Sequence, residues 1–404
     1  MAITTEYAKC PWNDQHNLLM IGLKGEDLNR KLNFEELPPN NLNFLIDVSG
    51  SMGYGEKLPL VKSSLKKLVD KLRPEDKVSI VVYAGAAGIV LPPTSGNQKT
   101  EIVEALDRLS AGGSTAGGEG IKLAYKVAKE NFIKNGNNRI IICTDGDFNV
   151  GPSSDTDMEQ LVNGYKDSGI YITCLGFGMG NYKDSKMEAI AESGEGNYAY
   201  IDSQNEADYV FGSGLTGTLY TIAKDVKIQV EFNPEVVKGY RLIGYENRML
   251  IPEDFMNDQV DARDLGSGHT VTALYEIIPV GDTSDLLKPV APLRYQSAVL
   301  TDSQITDEVG TVKFRYKLPQ TKVSTEVVNL VKNELSVNPG RNFRLSTAVA
   351  EYGLLLRRSK HKAAANYESI LSRVENAYIQ TENQQPWEEF IRLAQNAQSV
   401  KPLY

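Results

Sequence analysis

The chain has 404 residues, too many for one ordinary domain, so two or three are expected. Hydrophobic residues make up 41% and charged residues 24%, the composition of a globular protein rather than of a disordered or fibrous chain. Lys plus Arg is 43 against 52 Asp plus Glu, a formal charge of −9 that argues against non-specific binding to nucleic acid or anionic membrane.

No apolar run is long enough to span a bilayer, so no direct membrane insertion is expected. The start, Met1-Ala2-Ile3-Thr4-Thr5-Glu6, has neither the basic nor the apolar part of a signal peptide; the chain reads as cytoplasmic or as trimmed of an export segment. Cys10, Cys143 and Cys174 are too few and too widely spaced for a disulfide framework or a zinc site. Cys143 and Cys174 sit in apolar runs and read as small core residues. Histidines occur only at 16, 269 and 361, which limits any mechanism that needs a histidine base.

In chain order, His16–Leu23 alternates like a strand, and Pro38-Pro39-Asn40-Asn41 marks a boundary. Leu42–Ile46 is a short apolar run, as a strand buried on both faces requires. Residues 56–72 carry Leu58, Val61, Leu65, Leu68, Val69 and Leu72 at helical spacing. Lys77–Tyr83 and Gly88–Leu91 read as a hairpin of strands. Helices are expected near 98–109, 118–134, 157–167, 184–193 and 205–223, with strands at 139–144, 170–175 and 197–201 between them. Alternating strands and helices predict a doubly wound, mostly parallel α/β sheet over 41–223.

Beyond 224 the pattern changes to period two, at Val226–Phe232, Thr270–Ile277 and Thr311–Lys317. An additional antiparallel β domain over 224–335 follows, with Tyr240, Tyr275, Phe314 and Tyr316 in its core. Residues 1–40 are expected to lend it a strand, which would make the α/β domain an insertion. Residues 336–404 read as a C-terminal helical region, with helices at 341–375 and 386–398.

Asp47-Val48-Ser49-Gly50-Ser51 begins where the first apolar strand ends. Ligands of open α/β sheets bind outside the carboxyl ends of the strands. Thr144-Asp145-Gly146-Asp147 follows the strand at 139–143, and the glycine-rich Gly112–Gly118 precedes a helix, so three loops can converge there. They bring carboxylates and hydroxyls without imidazole or thiolate. Hard oxygens suit Mg²⁺, with Mn²⁺ or Ca²⁺ as alternatives, rather than Zn²⁺ or copper.

At these residues the chain resembles the von Willebrand factor type A domain. Asp47-x-Ser49-x-Ser51, Thr115 and Asp145 match its metal-ion-dependent adhesion site in order and context. The resemblance implies that Ser49, Ser51 and Thr115 hold the ion, while Asp47 and Asp145 supply charge and orient waters. It also implies an open position filled by an Asp or Glu of a partner protein. The segments at Cys10–Asn13, His16–Leu23 and Phe343–Arg357 resemble the bacterial YfbK-type proteins, which implies export to the cell envelope or a lipid anchor. Tyr54, Phe148, Asn149 and Tyr182 fall on loops expected to rim the metal, and aromatic residues are enriched at interfaces.

An enzyme is not expected. The Gly112–Gly120 loop lacks the Lys of a phosphate-binding loop. A phosphotransferase built on an Asp47 nucleophile wants an acid two residues on, where Ser49 stands. A metal-free scaffold and a metal-dependent phosphoester hydrolase remain the alternatives to metal-dependent protein binding.

Overall fold

The computed structural model describes residues 1–28, 36–113, 117–146, 160–165, 168–178, 184–212, 214–245, 249, 254–257, 262–282, 307–319, 321, 323–378 and 384–400. An antiparallel hairpin opens the chain, β1 (Ala2–Cys10) with β2 (Asn13–Lys24). The alternating segment at 16–23 lies in β2. β1 went unnoticed because its Thr, Glu and Lys side chains dilute the period.

The central sheet is built from β3 (Asn40–Asp47), β4 (Lys77–Tyr83), β5 (Ala87–Ser95), β6 (Asn137–Thr144), β7 (Ile170–Phe177) and β8 (Tyr198–Ile201). Its order is β5-β4-β3-β6-β7-β8, with only the β4–β5 pair antiparallel. One face carries α1 (Lys57–Asp70) and α2 (Lys99–Asp107), the other α3 (Gly117–Glu130) and α4 (Asp184–Ser193). Leu58, Val61, Leu65 and Leu68 of α1 are buried against Phe44 and Ile46, and Ile121, Ala124 and Tyr125 of α3 against Leu45 and Ile140. The doubly wound, mostly parallel sheet is therefore present. Of the helix expected near 157–167, residues 160–163 are helical and 164–165 form a turn, while 157–159 and 166–167 lie outside the described residues.

Buried asparagines pin the centre of this sheet. Asn137 Nδ2 donates to Asn40 Oδ1 at 2.8 Å, and Asn41 Nδ2 to Asn138 Oδ1 at 3.0 Å, across the β3–β6 pair. Asn43 Nδ2 donates to the Ala124 carbonyl of α3 at 3.2 Å. Slipping the pair by one residue would strand these amides in the core, where an unmade hydrogen bond is costly.

The single helix expected over 205–223 is instead α5 (Gln204–Val210) and α6 (Leu215–Leu219), followed by β9 (Thr221–Phe232). Gly212 and Gly214 make the break. A Cβ on Gly212 would lie 2.0 Å from the Asp208 carbonyl oxygen, so the chain turns where only glycine fits.

Four further strands are β10 (Val237–Leu242), β11 (Arg263–Gly266), β12 (Thr270–Pro279) and β13 (Glu308–Lys317), with β14 (Ser324–Lys332) after them. They form two antiparallel sheets, β1-β2-β12-β10 and β11-β9-β13-β14. Tyr7, Leu19, Ile21, Ile277, Val312 and Val331 pack between them. Phe314 is buried as expected, but Tyr240 is exposed and lies against Phe232, with ring centroids 4.4 Å apart. The helical expectation at 341–375 resolves into α7 (Arg341–Leu356) and α8 (Tyr367–Tyr378), followed by α9 (Gln385–Ser399). Phe343 and Leu354 of α7 cover Trp12, Leu18 and Met20 on the outer face of the first β sheet, and α8 and α9 pack on α7. Among the described residues, no helix is long and apolar enough to cross a membrane.

The β sheets meet the α/β sheet at its amino edge. The Asp76 carboxylate, before β4, accepts from the Asn40 amide at 2.8 Å, the Asn40 side chain at 2.9 Å and the Arg73 amide at 2.7 Å. The Asn40 side chain also donates to the Tyr220 hydroxyl at 2.9 Å, at the entry to β9. Nearby, Arg139 of β6 is fully buried, donates to Thr173 Oγ1 at 2.8 Å and lies over the Tyr171 ring. Lys224 of β9 reaches Glu195 at 2.7 Å and also stands over the Tyr171 ring, 4.7 Å from its centroid. Asp264 of β11 faces the same cluster, and burial pushes its carboxyl up to about 7 although Lys224 and Arg139 pull it down.

Two outcomes follow from this junction. Asp76→Ala removes the buried carboxylate beside Arg73, though Glu75 stays 3.4 Å away, and should cost about 3 kcal/mol, read as a lower midpoint in urea unfolding; an unchanged midpoint would mean the network is dispensable. For Asp264, the folded state holds a proton that the unfolded chain releases between about pH 4 and 7, so stability falls as pH rises through that window. Melting temperatures measured from pH 4 to 7 should decline less in Asp264→Asn than in the unaltered chain, and parallel curves would contradict this.

Candidate metal centre

The strand order of the central sheet reverses at β3. From there the chain runs outward through β4 and β5, then crosses back to add β6 on the other side. The two chain directions diverge at the carboxyl ends of β3 and β6, which leaves a crevice there. Asp47 is the last residue of β3, and Asp145 follows the last residue of β6. Fold topology therefore brings two carboxylates, 98 positions apart in the chain, to the same spot.

Asp47 is fully buried. Its Oδ1 accepts from the Ser49 amide at 2.8 Å and its Oδ2 from the Thr144 hydroxyl at 2.8 Å. Thr144 Oγ1 in turn accepts from the Gly146 amide at 3.1 Å, which ties the β6 loop to the same group. Burial pushes the Asp47 carboxyl up to about 6, against the pull of the Ser49 and Thr144 hydrogen bonds, and the Asp145 charge pushes it the same way. A nearby cation would relieve this.

Past Asp47 the chain turns through a short 3₁₀ helix, Gly50–Gly53, which sets Ser49 and Ser51 side by side. Their Oγ atoms lie 3.0 Å apart. Two adjacent ligands of an octahedral ion with bonds near 2.1 Å are about 3 Å apart, whereas the longer bonds of Ca²⁺ spread them further. The third loop is tied in by backbone: the Gly50 amide donates to the Gly113 carbonyl at 3.0 Å and the Gly112 amide to the Val48 carbonyl at 2.8 Å. Gly113 has φ +90°, a conformation that favours glycine.

Asp47, Ser49, Ser51 and Asp145 thus converge. Thr115, Phe148, Asn149 and Tyr182 lie outside the described residues; the loop toward Thr115 is described as far as Gly113. Tyr54 is 76% exposed just beyond Ser51, a position on the rim. Among the described residues no cluster of three or more His, Cys, Asp and Glu forms a metal cage, so any cation here relies on the serine hydroxyls. The donor set fits a small hard cation: a buried Asp47 carboxylate whose charge its hydrogen bonds only partly compensate, beside paired hydroxyl oxygens.

Two participants escaped the sequence reading. Thr144 is inside an apolar strand pattern and reads as core, yet it orients Asp47. Lys57 donates to Asp145 Oδ2 at 2.9 Å. The signal for Lys57 was present: a cation opening a helix opposes the helix dipole, and no acid in the first turn balances it.

Comparison with known proteins agrees with this architecture. Residues 41–211 match the von Willebrand factor type A domain, and residues 217–400 match the family described as uncharacterized protein YfbK, C-terminal. The chain is 44% identical over 401 residues to uncharacterized protein YfbK of Escherichia coli (strain K12), covering 99% of this chain and 68% of that one. It is 31% identical over 208 residues to a protein of Synechocystis sp., covering 50% of this chain and 46% of that one. It thus spans about two thirds of the first relative and under half of the second. The solved structure of a von Willebrand factor type A protein from Catenulispora acidiphila covers 100% of this chain and 88% of its own at TM-score 0.50; with 14% identity, it bears on fold alone. The chain belongs to the YfbK family, with a von Willebrand factor type A domain followed by the YfbK-type C-terminal domain.

Proposed function

We propose that this protein binds a divalent cation, Mg²⁺ first among the candidates, through Asp47, Ser49, Ser51, Thr115 and Asp145, and through it an acidic side chain of a partner protein. The observation that carries this reading is the Ser49–Ser51 oxygen pair, 3.0 Å apart, beside the buried Asp47 carboxylate at the sheet's switch point. A bound divalent ion supplies a Lewis-acidic position for a partner's carboxylate.

The chain's own residues do the rest. Ser49 and Ser51 present neutral oxygens, which add no negative charge to that of the two carboxylates. Asp47 supplies charge, and its orientation is locked by the Ser49 amide and the Thr144 hydroxyl. Tyr54, exposed on the rim, offers an aromatic contact to a partner, and Phe148, Asn149 and Tyr182 are the further partner contacts of this reading.

The chemistry is binding rather than turnover. None of the three histidines belongs to this edge: His16 and His269 lie in or beside the β sheets, and His361 follows α7. The von Willebrand resemblance supports protein binding as the outcome, and the YfbK-type flanks support a place at the bacterial cell envelope. Fractionation of the native bacterium should recover the protein with the envelope, and recovery in the cytosol would overturn that part.

The decisive measurement is calorimetric titration of Mg²⁺ and Mn²⁺ into chelator-stripped protein. One saturable site is expected, lost in Asp47→Ala while that variant keeps its fold by circular dichroism. Absence of binding in the unaltered chain would refute the metal reading.

A further inference from the structure

Lys57 occupies an unusual position. It is the first residue of α1, where a positive charge meets the positive end of the helix dipole, and no acidic residue stands in the first turn to compensate. The chain enters the helix through two consecutive left-handed residues, Gly55 at φ 63° and Glu56 at φ 63°. A non-glycine residue rarely adopts that conformation without a structural demand.

The demand is visible in where the side chain goes. Its stem lies across Gly178, at the end of β7. A Cβ on Gly178 would sit 2.5 Å from Lys57 Cε, 2.7 Å from Cγ and 2.8 Å from Cδ, so only glycine leaves the groove open. Gly178 also has φ +98°, a second reason for glycine. The ammonium emerges 2.9 Å from Asp145 Oδ2, with the Lys57 side chain 16% and the Asp145 side chain 6% exposed. An ion pair so shielded is screened much less than a surface pair.

We propose that Lys57 is a built-in counter-ion of the metal site: a positioning residue that pins Asp145 and leaves the loaded site positively charged for an acidic ligand. This rests on the metal-binding reading above. The charges decide the consequence. Among the described residues of the site, Asp47 and Asp145 contribute two negative charges, the hydroxyls none and Lys57 one positive charge. A divalent ion bound there leaves a net charge of plus one. Without Lys57 the loaded site is neutral. The lysine thus weakens the hold on the metal and strengthens the hold on an anion.

The test uses the full chain, stripped with chelator, and compares it with Lys57→Met, whose apolar stem can still lie on Gly178. Lys66→Met serves as the control, because Lys66, further along α1, pairs with the exposed Asp107 at the end of α2. Calorimetry with Mn²⁺ should show Lys57→Met binding about tenfold tighter than the unaltered chain, and Lys66→Met unchanged. Acetate, as a probe carboxylate, should bind several-fold more weakly to Mn²⁺-loaded Lys57→Met, read from the paramagnetic relaxation of its methyl protons. Equal or weaker Mn²⁺ binding in a folded Lys57→Met, or equal tightening in Lys66→Met, overturns the proposal. Absence of Mn²⁺ binding in the unaltered chain overturns the metal reading itself and this inference with it. If Lys57→Met does not fold, Lys57→Gln carries the same comparison with the same expected signs.

Discussion

Burying the Asp47 carboxylate is the constraint around which the α/β half of the chain is arranged. A carboxylate out of water needs hydrogen bonds or a cation, because its charged form is otherwise strongly disfavoured. Here two hydrogen bonds are supplied, one by the backbone of its own turn and one by Thr144 of the neighbouring strand. They fall short of full compensation, as the upward displacement of its carboxyl shows. That shortfall is what suits the crevice to a cation.

The two edges of the central sheet have separate duties. At the amino edge, Asp76, Asn40 and Tyr220 join the α/β sheet to the entry of β9, and the Arg139 cluster receives Lys224 and faces Asp264. At the carboxyl edge lie Asp47, Ser49, Ser51 and Asp145. Because the β sheets attach at the first edge, the described part of the second is left clear of them. Asparagine pairs between β3 and β6 hold the register that places Asp47 and Asp145 at the same level.

Much of this was legible in the residues. Strands buried on both faces announce themselves as apolar runs, and their alternation with helical spacing implied the doubly wound sheet. The Asp-x-Ser-x-Ser triple at a strand end located the candidate site before any contact was known. Other features were hidden for identifiable reasons. β1 carries Thr and Glu at positions that blur its period, and the paired glycines at 212 and 214 end a helix that the apolar spacing would have continued. Tyr240 looked like core because strand aromatics usually are, yet it lies on an outer surface. Thr144 could not be told from a core threonine without the partner strand, and the misplaced charge of Lys57 at a helix start did not say which carboxylate it meets.

What the sequence determined by itself is local: periodicity, turn chemistry and the kinds of side chain delivered to each strand end. These depend on neighbours a few positions apart, so they survive without a fold. What only the tertiary structure decided is which of those ends meet. The reversal of strand order at β3 sets Asp47 beside Asp145, and the bare backbone of Gly178 lets Lys57 reach between elements far apart in the chain. Charge balance in a desolvated site is a property of that meeting, since it depends on distances between residues that the linear order leaves open.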